Sequence, residues 1–249
     1  MQQKKSSDFI YGTRAIIEAI EAGKEIDKLL IQRDLSNDLT SELLNLCSNR
    51  KIPFQRVPLE KLNRVTRKNH QGALAFISPV QFASLDNIIS EVYGHGGNPL
   101  LLILDRVTDV RNFGAIARTA ECAGIHGLII PSRGSAQIGS DAMKTSAGAL
   151  NYIPVVRSMN LKETIKEIQN NGIQVVACTE KADDHLYNQD FTGPTAFLMG
   201  SEEEGISPEY LKMVDHKAKL PMTGHIDSLN VSVASAVFIY EAIRQRANS

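Results

Sequence analysis

Three polar clusters stand where an apolar run gives way to a helical pattern: DRVTDVRNFGAIARTAE (105–121), FLMGSEEEGIS (197–207) and KLPMTGHIDSLNVSVASAVFIYE (219–241). Each sets Gly, Asn, Ser, Arg or Glu at a strand–helix junction, the place where ligands collect in open α/β sheets. Arg118 lies six residues after Asn112, close to one and two-thirds helical turns, so both occupy one broad side of a helix. A guanidinium is a poor base, with a pKa above about 12, but a good partner for phosphate and for a developing oxyanion. Ser228 and Asn230 flank Leu229 at the start of the last helix, where such residues cap and where the helix favours anions. The familiar nucleotide and zinc motifs are missing. GHGGNP (94–99) precedes a strand instead of following one, and neither GxxxxGK[ST], HExxH nor CxxC occurs.

The elements that must hold these residues alternate. From Pro99 on, strands are expected at 100–105, 127–131, 153–156, 173–178, 196–200 and 216–220. Helices are expected at 112–123, 140–149, 161–170, 208–213 and 229–246. This order implies a mainly parallel sheet with helices on both faces. The apolar positions of the last helix (Val233, Ala234, Val237, Tyr240, Ile243) read first as core. Before residue 79, an amphipathic helix at 13–22 ends at Gly23, and a strand at 28–32, a helix near 40–50 and strands at 54–57 and 74–77 make a small α/β unit. Residues 79–98, with Pro79, Pro99 just beyond and three glycines, read as a linker carrying one short helix, 85–92.

Charge separates the two halves. Residues 1–78 carry 13 Lys/Arg against 9 Asp/Glu, while 79–249 carry 14 against 19, so a near-neutral total hides a basic and an acidic part. Most of the basic excess lies between Arg50 and Lys68, where a patch including Arg64, Arg67 and Lys68 can neutralise phosphates. Cys47, Cys122 and Cys178 are isolated, which points to reduced thiols in the cytoplasm and to no metal site. The N-terminus MQQKKSSDFIYG has no apolar stretch behind its lysines, so no secretory signal is expected. The longest aliphatic run, Leu100–Leu104, falls far short of the roughly 20 residues that span a bilayer, so no membrane partner is expected.

The three clusters, in this order and spacing, resemble the three motifs of the SPOUT superfamily of RNA methyltransferases, in its ribose 2′-O-methylating branch. YGTRAIIEAI (11–20) and NHQGALAFI (69–77) are similar to the substrate-binding domain of the bacterial 23S rRNA guanosine enzymes, and KTSAGALNYIPV (144–155) adds a further family-like segment. The resemblance implies a C-terminal trefoil knot, which periodicity could not reveal, and a bent S-adenosylmethionine held by Gly200, Leu220, Met222 and Leu229, with Thr179 as a fifth position. It implies catalytic roles for Asn112, Arg118, Glu202, Ser228 and Asn230, the Glu202 carboxylate orienting the Arg118 guanidinium. The chain departs from the family pattern at Val110, where proline is usual, and at Phe113, where leucine is common.

The expectation is therefore an RNA substrate-binding domain (1–78), a linker (79–98) and a knotted cofactor-dependent methyltransferase domain (99–249), acting as a homodimer on a guanosine ribose of 23S rRNA. A tRNA ribose methyltransferase of the same family and a catalytically silent RNA-binding or ribosome-assembly protein are the alternatives.

Overall fold

The computed structural model describes residues 9–248; Lys4 and Lys5, on which the reading of the N-terminus rests, lie outside them. The described residues form two compact units, 9–81 with Gln137–Ser140, and Phe82–Ala136 with residues 141–248.

The first unit runs β1 (Phe9–Tyr11), α1 (Thr13–Glu21), β2 (Ile26–Gln32), α2 (Asp38–Asn49), β3 (Phe54–Val57), α3 (Leu59–Val65) and β4 (Ala73–Ile77). Its sheet has the order β1-β4-β2-β3, with β2 and β3 parallel and the other pairs antiparallel. Side chains alternate across a strand, and the apolar residues divide accordingly. Leu29 and Ile31 of β2, with Ala73 and Ala75 of β4, meet Ile16, Ile17, Ile20, Leu43 and Cys47 of α1 and α2. Leu30, Val57 and Leu74 face the other way onto Leu62 of α3. That third helix escapes a periodicity search because it is seven residues long and buries only Leu62. The NHQG turn is locked by His70, which is buried, accepts from the Gly72 amide at Nδ1 (3.1 Å) and sits 3.0 Å from Asn63 Oδ1 at Nε2. Gly72 has φ +78°, and a Cβ there would come within 2.9 Å of Leu35, so only glycine fits.

The second unit runs α4 (Leu85–Gly94), β5 (Leu100–Leu104), α5 (Val110–Cys122), β6 (Gly127–Pro131), α6 (Ser140–Thr145), β7 (Val155–Ser158), α7 (Leu161–Asn170), β8 (Gln174–Cys178), β9 (Thr195–Met199), α8 (Pro208–Leu211), β10 (His216–Ala218) and α9 (Val231–Arg246). Six strands in the order β10-β8-β9-β5-β6-β7 pair in parallel throughout. One face packs Leu101, Ile103, Val175, Ala177, Ala196 and Leu198 against α4 and α7. On the other, Phe197 of β9 meets Phe238 of α9 edge-on at 5.7 Å between ring centroids. Both faces are thus covered, as the continuous apolar strands require.

Several expectations shift. The segment 79–98 is more than a connection, because Leu85, Ile88 and Ile89 of α4 are built into the second core. The helix expected at 140–149 stops at Thr145, where Ala147 turns left-handed (φ +51°). On α9 the core face is Val231, Ser235, Phe238, Ile239 and Ala242. Val233 and Tyr240, read first as core, are about half exposed, at 49% and 51%.

Candidate active site

The three polar clusters each begin as a loop at the carboxyl end of a strand, β5, β9 or β10, and the first and third run on into α5 and α9. The first is set by Asp109, whose carboxylate accepts from the amides of Arg111 and Asn112 (both 2.8 Å) and caps α5. The helix therefore starts at Val110, two residues earlier than periodicity suggests. Val110 occupies its first position, where a proline is tolerated and a valine costs no hydrogen bond. Buried Asp105 accepts from the Ser207 amide at 2.7 Å, tying the β5 end to the segment before α8.

Asn112, Glu202 and Asn230 come from the three separate clusters and close into a triangle. Asn112 Nδ2 donates to Glu202 Oε2 at 2.9 Å. The two protons of Asn230 Nδ2 go to Glu202 Oε1 (2.7 Å) and Asn112 Oδ1 (3.0 Å). Asn230 Oδ1 accepts from the amide (2.9 Å) and hydroxyl (2.6 Å) of Ser232, so every polar atom of that side chain is used. Asn230 is the cap of α9, and Ser228 is not. Asp109 and Ser232 are absent from the sequence-derived site. Asp109 was detectable as an acidic residue just before a helical pattern, whereas Ser232 acts only through the orientation of a neighbouring amide.

Beside the triangle lies a cavity of about 450 Å3, within the roughly 300–1,000 Å3 range of small-molecule sites. All five positions expected to hold a cofactor line it: Thr179, Gly200, Leu220, Met222 and Leu229; so do Glu202 and Ser228. Its apolar depth comes from Met199, Val231 and Phe238, and its rim from the hairpin Ser201–Gly205. Gly200 is needed for a reason other than ligand approach. A Cβ there would lie 2.1 Å from the Gly205 carbonyl carbon and 2.2 Å from the Ile206 nitrogen, so the glycine lets backbone pass backbone. Arg106, left-handed at φ +57°, pairs with Glu204 and Asp105 and donates to the Gly205 carbonyl at 3.2 Å. Partial desolvation pulls its pKa down, but the Asp105 and Glu204 charges outweigh this and hold it above the ordinary value. At the back of the cavity, burial pushes the Cys178 thiol well up, keeping it protonated.

Arg118 stands apart. It is exposed on α5 and does not line the cavity. Each oxygen of Glu202 accepts one asparagine amide, and the hydrogen bonds that hold this carboxylate come from Asn112 and Asn230. In the first unit, Arg64, Arg67 and Lys68 are all exposed, with Lys68 Nζ 5.7 Å above the Tyr11 ring. Among the described residues no group of three His, Cys, Asp or Glu could hold a metal ion, and no helix is long and apolar enough to cross a membrane.

Residues 99–240 match the SpoU rRNA Methylase family, and residues 9–83 match the domain described as RNA 2′-O ribose methyltransferase substrate binding. The chain belongs to the SpoU methylase family. A protein of Staphylococcus saprophyticus named as a TrmH family tRNA/rRNA methyltransferase is 35% identical over 237 residues, 95% of each chain. One of the same family name from Bacillus subtilis is 34% identical over 239 residues, 96% of each. Among solved structures, the SpoU methyltransferase AviRb from Streptomyces viridochromogenes, in complex with AdoMet, superposes with a TM-score of 0.62 at 28% identity, covering 97% of this chain and 91% of its own.

This SpoU methylase is an RNA methyltransferase, and its cofactor is S-adenosylmethionine. The residues present suit that group. The cavity joins the apolar Met199, Val231 and Phe238 to residues of the 200–205 and 220–229 loops, and the carboxylates in its lining, Glu180, Glu202, Glu203 and Asp227, favour a cation.

Proposed function

We propose that this SpoU methylase transfers a methyl group to the ribose 2′-oxygen of a guanosine in 23S rRNA. The observation that carries the reading is the juxtaposition of the Asn112–Glu202–Asn230 triangle with a cavity lined by all five expected cofactor positions. The bound cofactor supplies an electrophilic methyl on a sulfonium. The chain's own residues must then place a ribose hydroxyl in line with it and manage the charge as the hydroxyl loses its proton. The triangle presents a carboxylate with one amide donor on each oxygen, so its geometry is set before substrate arrives. Arg118, unpaired among the described residues, is free to hold the phosphate next to that ribose and to stabilise the developing alkoxide. Ser228, at the cavity wall before α9, completes the ribose side.

Arg64, Arg67 and Lys68 contact the RNA backbone in this reading, through a first unit that is the substrate-binding domain of residues 1–78, ahead of a knotted methyltransferase domain in residues 99–249. The homodimer belongs to the same proposal, supported by the half-exposed Val233 and Tyr240 on α9, which packs against α5. So does a cytoplasmic location, in keeping with three free cysteines. A ribosomal target is favoured over tRNA by coverage. The AdoMet-bound rRNA methyltransferase from Sinorhizobium meliloti (25% identity, TM-score 0.61) covers 95% of this chain, whereas the TrmH/SpoU tRNA modifying enzyme of A. aeolicus (29% identity, TM-score 0.56) covers 66%. Mapping ribose methylation in rRNA and tRNA from a deletion strain tests the proposal. Loss of one 2′-O-methylguanosine in 23S rRNA, restored by the purified enzyme, is the expected result, and loss of a tRNA methyl instead would move the target.

A further inference from the structure

We propose that the first unit carries a pocket for one unpaired guanine base of the RNA, formed at the carboxyl ends of the parallel strands β2 and β3. This rests on the reading of that unit as RNA-binding. A cavity of about 190 Å3 opens there, lined by Gln32, Arg33, Asp34, Pro58, Leu59 and Glu60. It is smaller than the roughly 300–1,000 Å3 of drug-sized sites, room for a heterocyclic base and not for a whole nucleotide. Carboxyl ends of adjacent parallel strands are where α/β sheets place ligands, and β2–β3 is the one parallel pair of this sheet among the described residues.

The loop that makes one wall is held rigid in advance. Arg56, which composition places among the phosphate-binding charges, instead donates from Nη1 to the carbonyls of Arg33 (2.8 Å) and Leu35 (3.1 Å). The Arg33 amide donates to the Val57 carbonyl at 2.8 Å, and the Gln32 amide to the Gly72 carbonyl at 2.7 Å. Residues 32–35 are therefore fixed from three sides while the side chains of Gln32, Arg33 and Asp34 line the cavity, which lowers the ordering cost of binding.

The lining selects the base. Guanine alone among the four bases offers two adjacent donors, N1–H and the N2 amino group, beside an acceptor, O6. A carboxylate accepts both donors together, and an amide or guanidinium donates to the acceptor. Asp34 and Glu60 supply the carboxylates, Gln32 and Arg33 the donors, and Leu59, 40% exposed, an apolar surface for the ring. Unpaired bases are read by such edge contacts. Glu60 and Arg64 are four residues apart on α3, hence about 5–6 Å apart on one face. That spacing lets Arg64 meet a phosphate of the nucleotide whose base is in the pocket.

The test is fluorescence anisotropy on the full-length protein with a labelled oligouridine carrying one central guanosine, adenosine or inosine. The guanosine oligomer should bind about five- to a hundredfold more tightly than the adenosine one, the range of a good bidentate contact, with inosine, lacking the amino group, between them. Asp34→Asn combined with Glu60→Gln should erase the preference without weakening the binding of plain oligouridine, since it removes two negative charges beside the basic patch. Equal binding of guanosine and adenosine oligomers, or a preference that survives the double variant, would overturn the pocket. Displacement of the guanosine oligomer by free GMP at equal concentration would assign it to a nucleotide instead of RNA. If the wild-type protein binds no RNA at low salt while still binding S-adenosylmethionine, the RNA-binding reading of this unit falls, and the pocket with it.

Discussion

Gly200→Ala separates two accounts of one glycine. Sequence reasoning keeps it for the close approach of a cofactor; the structure keeps it because the backbone of Gly205 and Ile206 crosses directly over it. The added methyl would meet three backbone atoms, the Gly205 carbonyl carbon at 2.1 Å, the Ile206 nitrogen at 2.2 Å and the Gly205 oxygen at 2.5 Å. No side chain can rotate away, so the Ser201–Gly205 hairpin must move as a body. Overpacking usually costs about 1–3 kcal/mol, and with only backbone to yield the upper end applies. At about 2–4 °C per kcal/mol for a unit of this size, the transition of the second unit should fall by roughly 6–12 °C. Displacing the hairpin also moves Glu202, and with it two edges of the triangle, so S-adenosylmethionine binding should be lost together with stability. Gly94→Ala is the control: Gly94 ends α4, with no atom within 4 Å of the methyl that alanine would add, and the change should be neutral or stabilising by up to about 1 kcal/mol. Thermal melts and calorimetric titration read both effects. A Gly200→Ala protein that melts and binds like wild type would refute the crossing as the reason for the glycine.

Arg118→Ala should lower single-turnover methylation by about 10²–10³, the usual cost of a lost oxyanion donor, with cofactor affinity unchanged because the side chain lies outside the cavity; a near-normal rate would remove Arg118 from the chemistry. Neutralising Arg64, Arg67 and Lys68 together should weaken RNA binding and flatten its salt dependence, and an unchanged slope would mark the patch as a solvated face. Arg246 donates to the carbonyls of Phe191, Asn98, Pro99 and Gly193, so Arg246→Ala should destabilise the second unit by about 2–4 kcal/mol in denaturant titrations, and a loss under about 1 kcal/mol would contradict the clamp. Burial and the nearby Arg246 charge hold the His126 pKa below its usual value, and the neutral ring accepts from the Leu100 amide at 2.9 Å. The unfolded chain therefore takes up the proton first, so stability is full above the unfolded pKa near 6.5 and declines as pH falls below it; His126→Gln should flatten that part of the pH–stability curve.

What can be read from the sequence, and what cannot, follows from the range of the forces involved. Strands such as Leu100–Leu104 and the run 196–199 are legible because burial on both faces demands continuous apolar residues. The motif resemblance groups Thr179, Gly200, Leu220, Met222 and Leu229 as one set, and these five positions do line one cavity. Long-range pairings are what sequence does not show. Charge matches Glu202 to Arg118, and the fold adds amide donors from Asn112 and Asn230, 90 and 28 residues away, one to each of its oxygens. Composition makes Arg56 a free cation, yet it serves carbonyls more than 20 residues back in the chain. In both cases the residue type supplies the charge and only the fold supplies its partner. The consequence for the basic patch is specific: Arg56 has a structural task there, whereas Arg64, Arg67 and Lys68 are the cations proposed to meet phosphate. A single Arg56→Ala change should then loosen the 32–35 loop and blunt any base preference without altering the salt slope. Unchanged base preference in that variant would show that the loop does not depend on the clamp, and a reduced slope would return Arg56 to the RNA surface.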